Sequence, residues 1–190
     1  MKKITASIVL SVSFIFLFSI SAFCKEPNPA VPFTINSTAF KANDTIPLKY
    51  VCKEISHGQN ISIPLQWSGA PMGTKSYAIF MYDLNPISKN FVHWAVIDIP
   101  KNITSIPEGA SSSLAMPKGS IELPNSNGRM DYAGPCPPTG TGNHQYKIIV
   151  YALNTNKLDF SGRTSLAQFQ AAIDGKVIGE AEISVYFEQK

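Results

Sequence analysis

The chain has 190 residues, 44% of them hydrophobic and 15% charged, with a formal charge of +3 at pH 7. That composition excludes a disordered or collagen-like chain, and a balance this close to neutral gives nucleic-acid binding no electrostatic basis. The length suits one domain with a sizeable core.

The first element in chain order is a leader. Met1-Lys2-Lys3, an apolar run from Ile8 to Phe18, and the small residues Ser19, Ser21 and Ala22 follow the three-part plan of a secretory signal peptide, with cleavage after Ala22 or after Cys24. Cys24 also invites a lipoprotein reading, but Phe23 stands where that processing wants a small residue. The apolar run is short for a bilayer and no second long one follows, so residues 25–190 are expected to form one periplasmic or secreted domain without stable membrane insertion. Loss of Lys2 and Lys3 with the leader leaves 14 basic residues against 13 acidic, a balance of +1.

Five stretches rich in Val, Ile, Tyr and Phe read as strands: Ile46 to Cys52, Ser76 to Leu84, Phe91 to Ile99, Gln145 to Leu153 and Val177 to Phe187. Around Ala78 to Tyr82 and Ile148 to Leu153 neither alternate set is polar, which predicts strands covered on both faces. The Gly-, Pro-, Ser- and Asn-rich span from Gly109 to Gly142 is long for a loop in a compact domain and is expected to carry function. One helix is predicted over about 165–174: Ser165-Leu166-Ala167-Gln168 has the capping-box form, Leu166, Phe169 and Ile173 share a face, and Gly175 can end it. With Cys24 in the leader, Cys52 and Cys136 remain in a compartment that permits disulfides. Paired, they would stabilise the fold by on the order of 4 kcal/mol; unpaired, they would be buried thiols, and neither has a CxxC partner that points to a metal.

Polar residues that an apolar sheet would otherwise avoid concentrate in three places. Asp83 ends a strand before a turn, where a carboxylate commonly caps turn amides. His93 alternates with Phe91, Ala95 and Ile97, which places an imidazole on an apolar strand face, the usual setting of a satisfied core histidine. His144 begins a strand after the flexible Gly140-Thr141-Gly142-Asn143, where the backbone can approach a ligand closely. Together two histidines and a carboxylate can hold a divalent metal, run acid-base catalysis, or receive an anion through imidazole donors with Asp83 orienting one ring; spacing alone leaves all three open. His57 falls in an exposed loop, and no G-x-S-x-G elbow supports a serine hydrolase.

The order of these segments resembles the phosphatidylethanolamine-binding protein family, in its bacterial Raf kinase inhibitor-like (YbhB/YbcL type) branch, from Phe33 to about Tyr186. The stretches that carry it are Tyr50-Val51-Cys52 with Asn60 to Trp67, Gly73 to Tyr77, Asp83-Leu84-Asn85-Pro86, His93-Trp94 before Ile99-Pro100, and Tyr132 to Tyr146 followed by Tyr151-Ala152-Leu153. The form Y-x-G-P-C-P-P-x-G-x-x-x-H-x-Y is the most specific. The resemblance implies a mainly β fold, a large central antiparallel sheet packed on a smaller one with few helices. It also implies a pocket for phosphate or a phosphorylated head group built from Asp83, His93, His144 and Tyr146, with Gly134 and Pro135 as its wall and a disulfide between Cys52 and Cys136. Leu84 and Asn85 depart from the family's D-P-D-x-P.

The expected function is therefore a non-enzymatic anion-binding protein that needs no cofactor. Modulation of a protein partner such as a kinase or protease follows from the resemblance, as does a homodimer. The alternative is a metal-dependent or acid-base hydrolase using the same Asp83, His93 and His144.

Overall fold

A computed structural model describes residues 31–190; the predicted leader and both cleavage positions lie outside them. Eight strands and one helix follow in order: β1 (Thr34–Asn36), β2 (Leu65–Ser68), β3 (Ser76–Asp83), β4 (Val92–Pro100), β5 (Ser105–Ile106), β6 (Ile121–Glu122), β7 (His144–Leu153), α1 (Leu166–Ile173) and β8 (Val177–Phe187). They form a five-stranded sheet in the order β6-β4-β3-β7-β8 and a three-stranded sheet β1-β2-β5, antiparallel throughout. The fold is mainly β, with a large antiparallel sheet packed on a smaller one.

Every residue of β3 is buried, because this strand has neighbours on both edges and hydrophobic material on both faces. Tyr77, Ile79 and Met81 point with Trp94, Val96, Ile148 and Val150 toward Ile35, Leu65 and Trp67 of the small sheet. Ala78, Phe80 and Tyr82 point the other way, with Ile149 and Tyr151, against Phe169 and Ile173 of α1; the Phe80 and Phe169 rings stack at 4.3 Å. The absence of a polar face in the sequence follows from this double burial. Ser165 caps α1 by accepting from the Gln168 amide at 3.3 Å, and Gly175 takes φ +67° just beyond it, a backbone that glycine adopts without steric cost.

The stretch 46–52 is not a strand. It forms a 3-10 turn, Leu48–Tyr50, after Pro47, held by the Tyr50 amide donating to the Pro47 carbonyl at 3.0 Å. Its apolar character comes from Ile46, Tyr50 and Val51 being almost wholly buried, which irregular backbone achieves as well as a strand does. The Gly109 to Gly142 span holds only β6 and a series of turns. Glu122 gathers it by accepting from Trp94 Nε1 at 2.7 Å, Ser111 Oγ at 2.6 Å and the Ser112 amide at 2.8 Å. No helix among the described residues is long and apolar enough to cross a membrane.

Candidate functional site

The site lies at the end of the large sheet where β3 stops and β4 and β7 begin. Asp83 pairs across with Tyr146, which brings the two residues together although 62 positions separate them. His144 is the first residue of β7 and His93 the second of β4. The alternation with Ala95 and Ile97 does not hold through His93. Met81 pairs with Trp94 and Tyr82 with Val92, so His93 is the extra residue of a β-bulge. The bulge turns its ring away from the α1 side, where Val92, Ala95 and Ile97 pack, to the side of Tyr146, edge-on with ring centroids 5.1 Å apart. Bulges commonly re-aim a side chain in this way.

Asp83 is 4% exposed and its carboxylate is fully engaged. Oδ1 accepts from the Asn85 amide at 2.8 Å, capping the turn, and Oδ2 lies 2.6 Å from His144 Nδ1. His144 Nε2 is 2.9 Å from Thr141 Oγ1, so both nitrogens of this ring are used within the protein. His93 differs. Its Nδ1 donates to the Ala133 carbonyl at 2.7 Å, its own carbonyl accepts from the Ala133 amide at 2.9 Å, and Nε2 has no partner among the described residues. Burial pushes the His93 pKa down to about 4, with the dipole of the Ala133 carbonyl and the Asp83 charge opposing only in part. Tyr146 is fully buried and its hydroxyl has no partner; burial, reinforced by Asp83, raises its pKa.

The opposite wall runs through Tyr132 to Pro138 and is tied to the segment that follows the 3-10 turn. Asn60 accepts from the Gly134 amide at 2.6 Å and donates to the Tyr132 carbonyl at 3.2 Å, the Tyr132 hydroxyl donates to the Tyr50 carbonyl at 2.9 Å, and Cys52 is joined to Cys136 with Cα atoms 5.5 Å apart. Gly134 must be glycine here, since a Cβ would stand 2.5 Å from the Tyr50 carbonyl oxygen. Between wall and strand ends lies a cavity of about 610 Å³, which Asp83, His93, Gly134, His144 and Tyr146 all line. Pro135 does not: it turns away, buried, and its carbonyl accepts from the Cys52 amide at 3.0 Å, so it holds the wall in place without facing the cavity. His57 is exposed, as expected.

Several lining residues escape a reading of sequence alone. Tyr132, Asn60, Phe91 and the charged residues Lys53, Glu54, Arg129 and Asp131 all border the cavity. Arg129 binds Asp131 through Nε at 2.8 Å, and Asn125, 1% exposed, shapes this rim by accepting from the Asn127 amide and donating to the Asp131 carbonyl. A signal existed for Arg129, one of only two arginines in the chain and set in the Gly- and Ser-rich span; Asn60 carries none.

A two-sheet β scaffold with one cavity at the strand ends, lined by buried polar groups, defines a ligand-binding protein class. Residues 36–188 match the phosphatidylethanolamine-binding protein family, and the chain belongs to it. It is 31% identical over 176 residues to the protein YbcL of Escherichia coli, covering 90% of this chain and 96% of that one. The crystal structure of E. coli YbcL, described as a member of the mammalian PEBP family, superposes with a TM-score of 0.77 over 84% of this chain and 100% of that one, at 32% identity. A protein of Methanothermobacter thermautotrophicus is 36% identical over 149 residues, 78% of this chain and 94% of its own. The LppC protein of Mycobacterium tuberculosis, named as a lipoprotein, is 36% identical over 163 residues, 85% of this chain and 76% of its own.

Proposed function

We propose that the chain is a secreted, non-enzymatic protein that holds a small anion, phosphate or a phosphorylated head group, in the cavity at the end of the large sheet. One observation carries this reading: a concavity of about 610 Å³, within the usual range for small-molecule sites, is lined by His93, whose Nε2 has no partner among the described residues, beside Asp83, His144 and Tyr146. Polar groups in such a setting are normally satisfied, so the open His93 nitrogen marks where a ligand atom belongs. The family's name gives the ligand class, a phosphorylated and therefore negatively charged group. Secretion is supported by the leader and by the envelope name of the mycobacterial relative. Modulation of a protein partner such as a kinase or protease, and a homodimer, belong to the same reading.

The hydrolase alternative requires Asp83, His93 and His144 to converge on a metal or a substrate. Asp83 and His144 face each other instead. Among the described residues the one group of three metal-ligand side chains within 4.8 Å is Cys52, Glu54 and Cys136, whose sulfurs are bonded to each other. Adding phosphate to the protein at pH 7 is expected to move the NMR signals of the His93 ring and of Tyr146. Unchanged signals would remove the anion reading, and a stoichiometric metal in protein purified without chelator, lost in His93→Ala, would favour the hydrolase.

A further inference from the structure

A second cluster of ligand-type side chains stands on the cavity wall, independent of the anion reading. Cys52, Glu54 and Cys136 bring two sulfurs and a carboxylate oxygen within 4.8 Å of one another. Spacing in the sequence hides the group, because the two cysteines lie 84 positions apart. Successive turns fold Glu54 back beside the bridge: the Cys52 carbonyl accepts from the Ile55 amide at 3.3 Å, and the Ile55 carbonyl accepts from the Gly58 amide at 2.8 Å. Gly58 permits this path, since a Cβ there would stand 1.9 Å from the Cys52 carbonyl oxygen. Glu54 Oε2 ends 3.9 Å from Cys136 Sγ, and its carboxylate forms no ion pair among the described residues.

The two cysteines differ in access. Cys52 is buried, whereas Cys136 and Glu54 are exposed, so an external thiolate meets Cys136 Sγ first. Nor is the bridge alone in joining the two segments. The Cys52 amide donates to the Pro135 carbonyl at 3.0 Å, the Gly134 amide to Asn60 Oδ1 at 2.6 Å, and the Tyr132 hydroxyl to the Tyr50 carbonyl at 2.9 Å. None of these bonds uses a sulfur, so after reduction they keep the cysteine Cα atoms near their present 5.5 Å separation. Two free sulfurs and an unpaired carboxylate are then held together, and once ionised such groups repel unless a cation offsets them.

We infer that the reduced wall is a zinc site, with Cys52 Sγ, Cys136 Sγ and a Glu54 carboxylate oxygen as ligands and water in the fourth position. The same residues are a covalent staple when oxidised and a metal site when reduced. Two thiolates with one carboxylate suit Zn²⁺ rather than Mg²⁺ or Ca²⁺. Around a tetrahedral zinc, with Zn–S bonds of about 2.3 Å, the sulfurs stand about 3.8 Å apart, a spacing that rotation of the exposed Cys136 side chain supplies. The reductant is a dithiol. One of its thiolates attacks Cys136 Sγ, breaks the S–S bond and expels Cys52 as a thiolate; its second thiolate then attacks the mixed disulfide and releases Cys136. The chain gains two electrons, the dithiol leaves as a disulfide, and Zn²⁺ displaces to solvent any proton the thiols carry.

The test compares untreated protein with protein reduced by dithiothreitol and desalted without oxygen, each titrated with Zn²⁺ against a chromophoric chelator. One zinc per chain is expected after reduction and none before, with the far-ultraviolet circular dichroism unchanged. Co²⁺ in place of zinc should give a thiolate-to-metal charge-transfer band. Glu54→Gln, which keeps both cysteines and the bridge, should weaken zinc binding by roughly tenfold or more, and Cys136→Ser should abolish stoichiometric uptake. A bridge that dithiothreitol leaves intact overturns the inference, as does a reduced chain that loses its sheet signal or shows two free thiols without taking up zinc. Zinc held as tightly by Glu54→Gln, or lost in His93→Ala, would place the metal elsewhere and overturn it too.

Discussion

At the start of β7, His144 is enclosed by Asp83 and Thr141; at the bulge of β4, His93 is held on one side only. Exposure does not separate them, at 1% and 4%. Counting partners does, since one ring has both nitrogens satisfied and the other has one. The first fixes the geometry of the strand ends, and the second keeps one ring nitrogen without a partner among the described residues, although both share one residue type and one cavity.

Breaking the closed side should have the largest effect. Asp83→Ala leaves the buried His144 Nδ1 and the Asn85 amide without their acceptor and, at about 1–3 kcal/mol for each group left unsatisfied, is expected to lower stability by about 3–5 kcal/mol in urea unfolding. Adding His144→Ala should return part of that loss, and a change under about 1 kcal/mol in Asp83→Ala would mean that the pair does not hold the strand ends together. The open side should show itself through pH. The folded His93 pKa, about 4, lies below the ordinary 6.5, so the unfolded chain binds the extra proton first. The contribution of this ring is complete above about pH 6.5 and is lost as pH falls toward 4, in total about 3 kcal/mol. Unfolding midpoints measured from pH 7 to 4 should show this decline, reduced in His93→Gln. Smallest is a change on the far face of the sheet: Ser165→Ala removes the cap of α1 and should cost about 1 kcal/mol with phosphate affinity unchanged, which separates general stability from the site.

Much of the large sheet is legible in sequence. The expected strands within 76–84, 91–99, 145–153 and 177–187 correspond to β3, β4, β7 and β8, because long β-branched and aromatic runs between turns admit few other outcomes. β1, β2, β5 and β6 are two to four residues long, too short for a period to register. The segment around Tyr50 has strand-like composition for a different reason, burial under the pocket wall. At the site, Asp83 and His144 stand out as polar groups at the ends of apolar strands. The face of His93 does not follow from alternation, because a bulge shifts the period by one. Asn60 and Pro135 escape because their roles are backbone contacts to segments more than 70 residues away.

The burial of β3 on both faces also bears on how the chain reaches its fold. Its partner β7 pairs Leu153 with Ser76 and Tyr146 with Asp83, so eight consecutive buried residues emerge some 60 to 80 positions before the strand that covers their second edge. Closing loops of that length precedes the contacts that reward it, which makes assembly slow and leaves an apolar strand edge open in the meantime. In any exported chain, an interval of this kind is when a transport chaperone has most to hold.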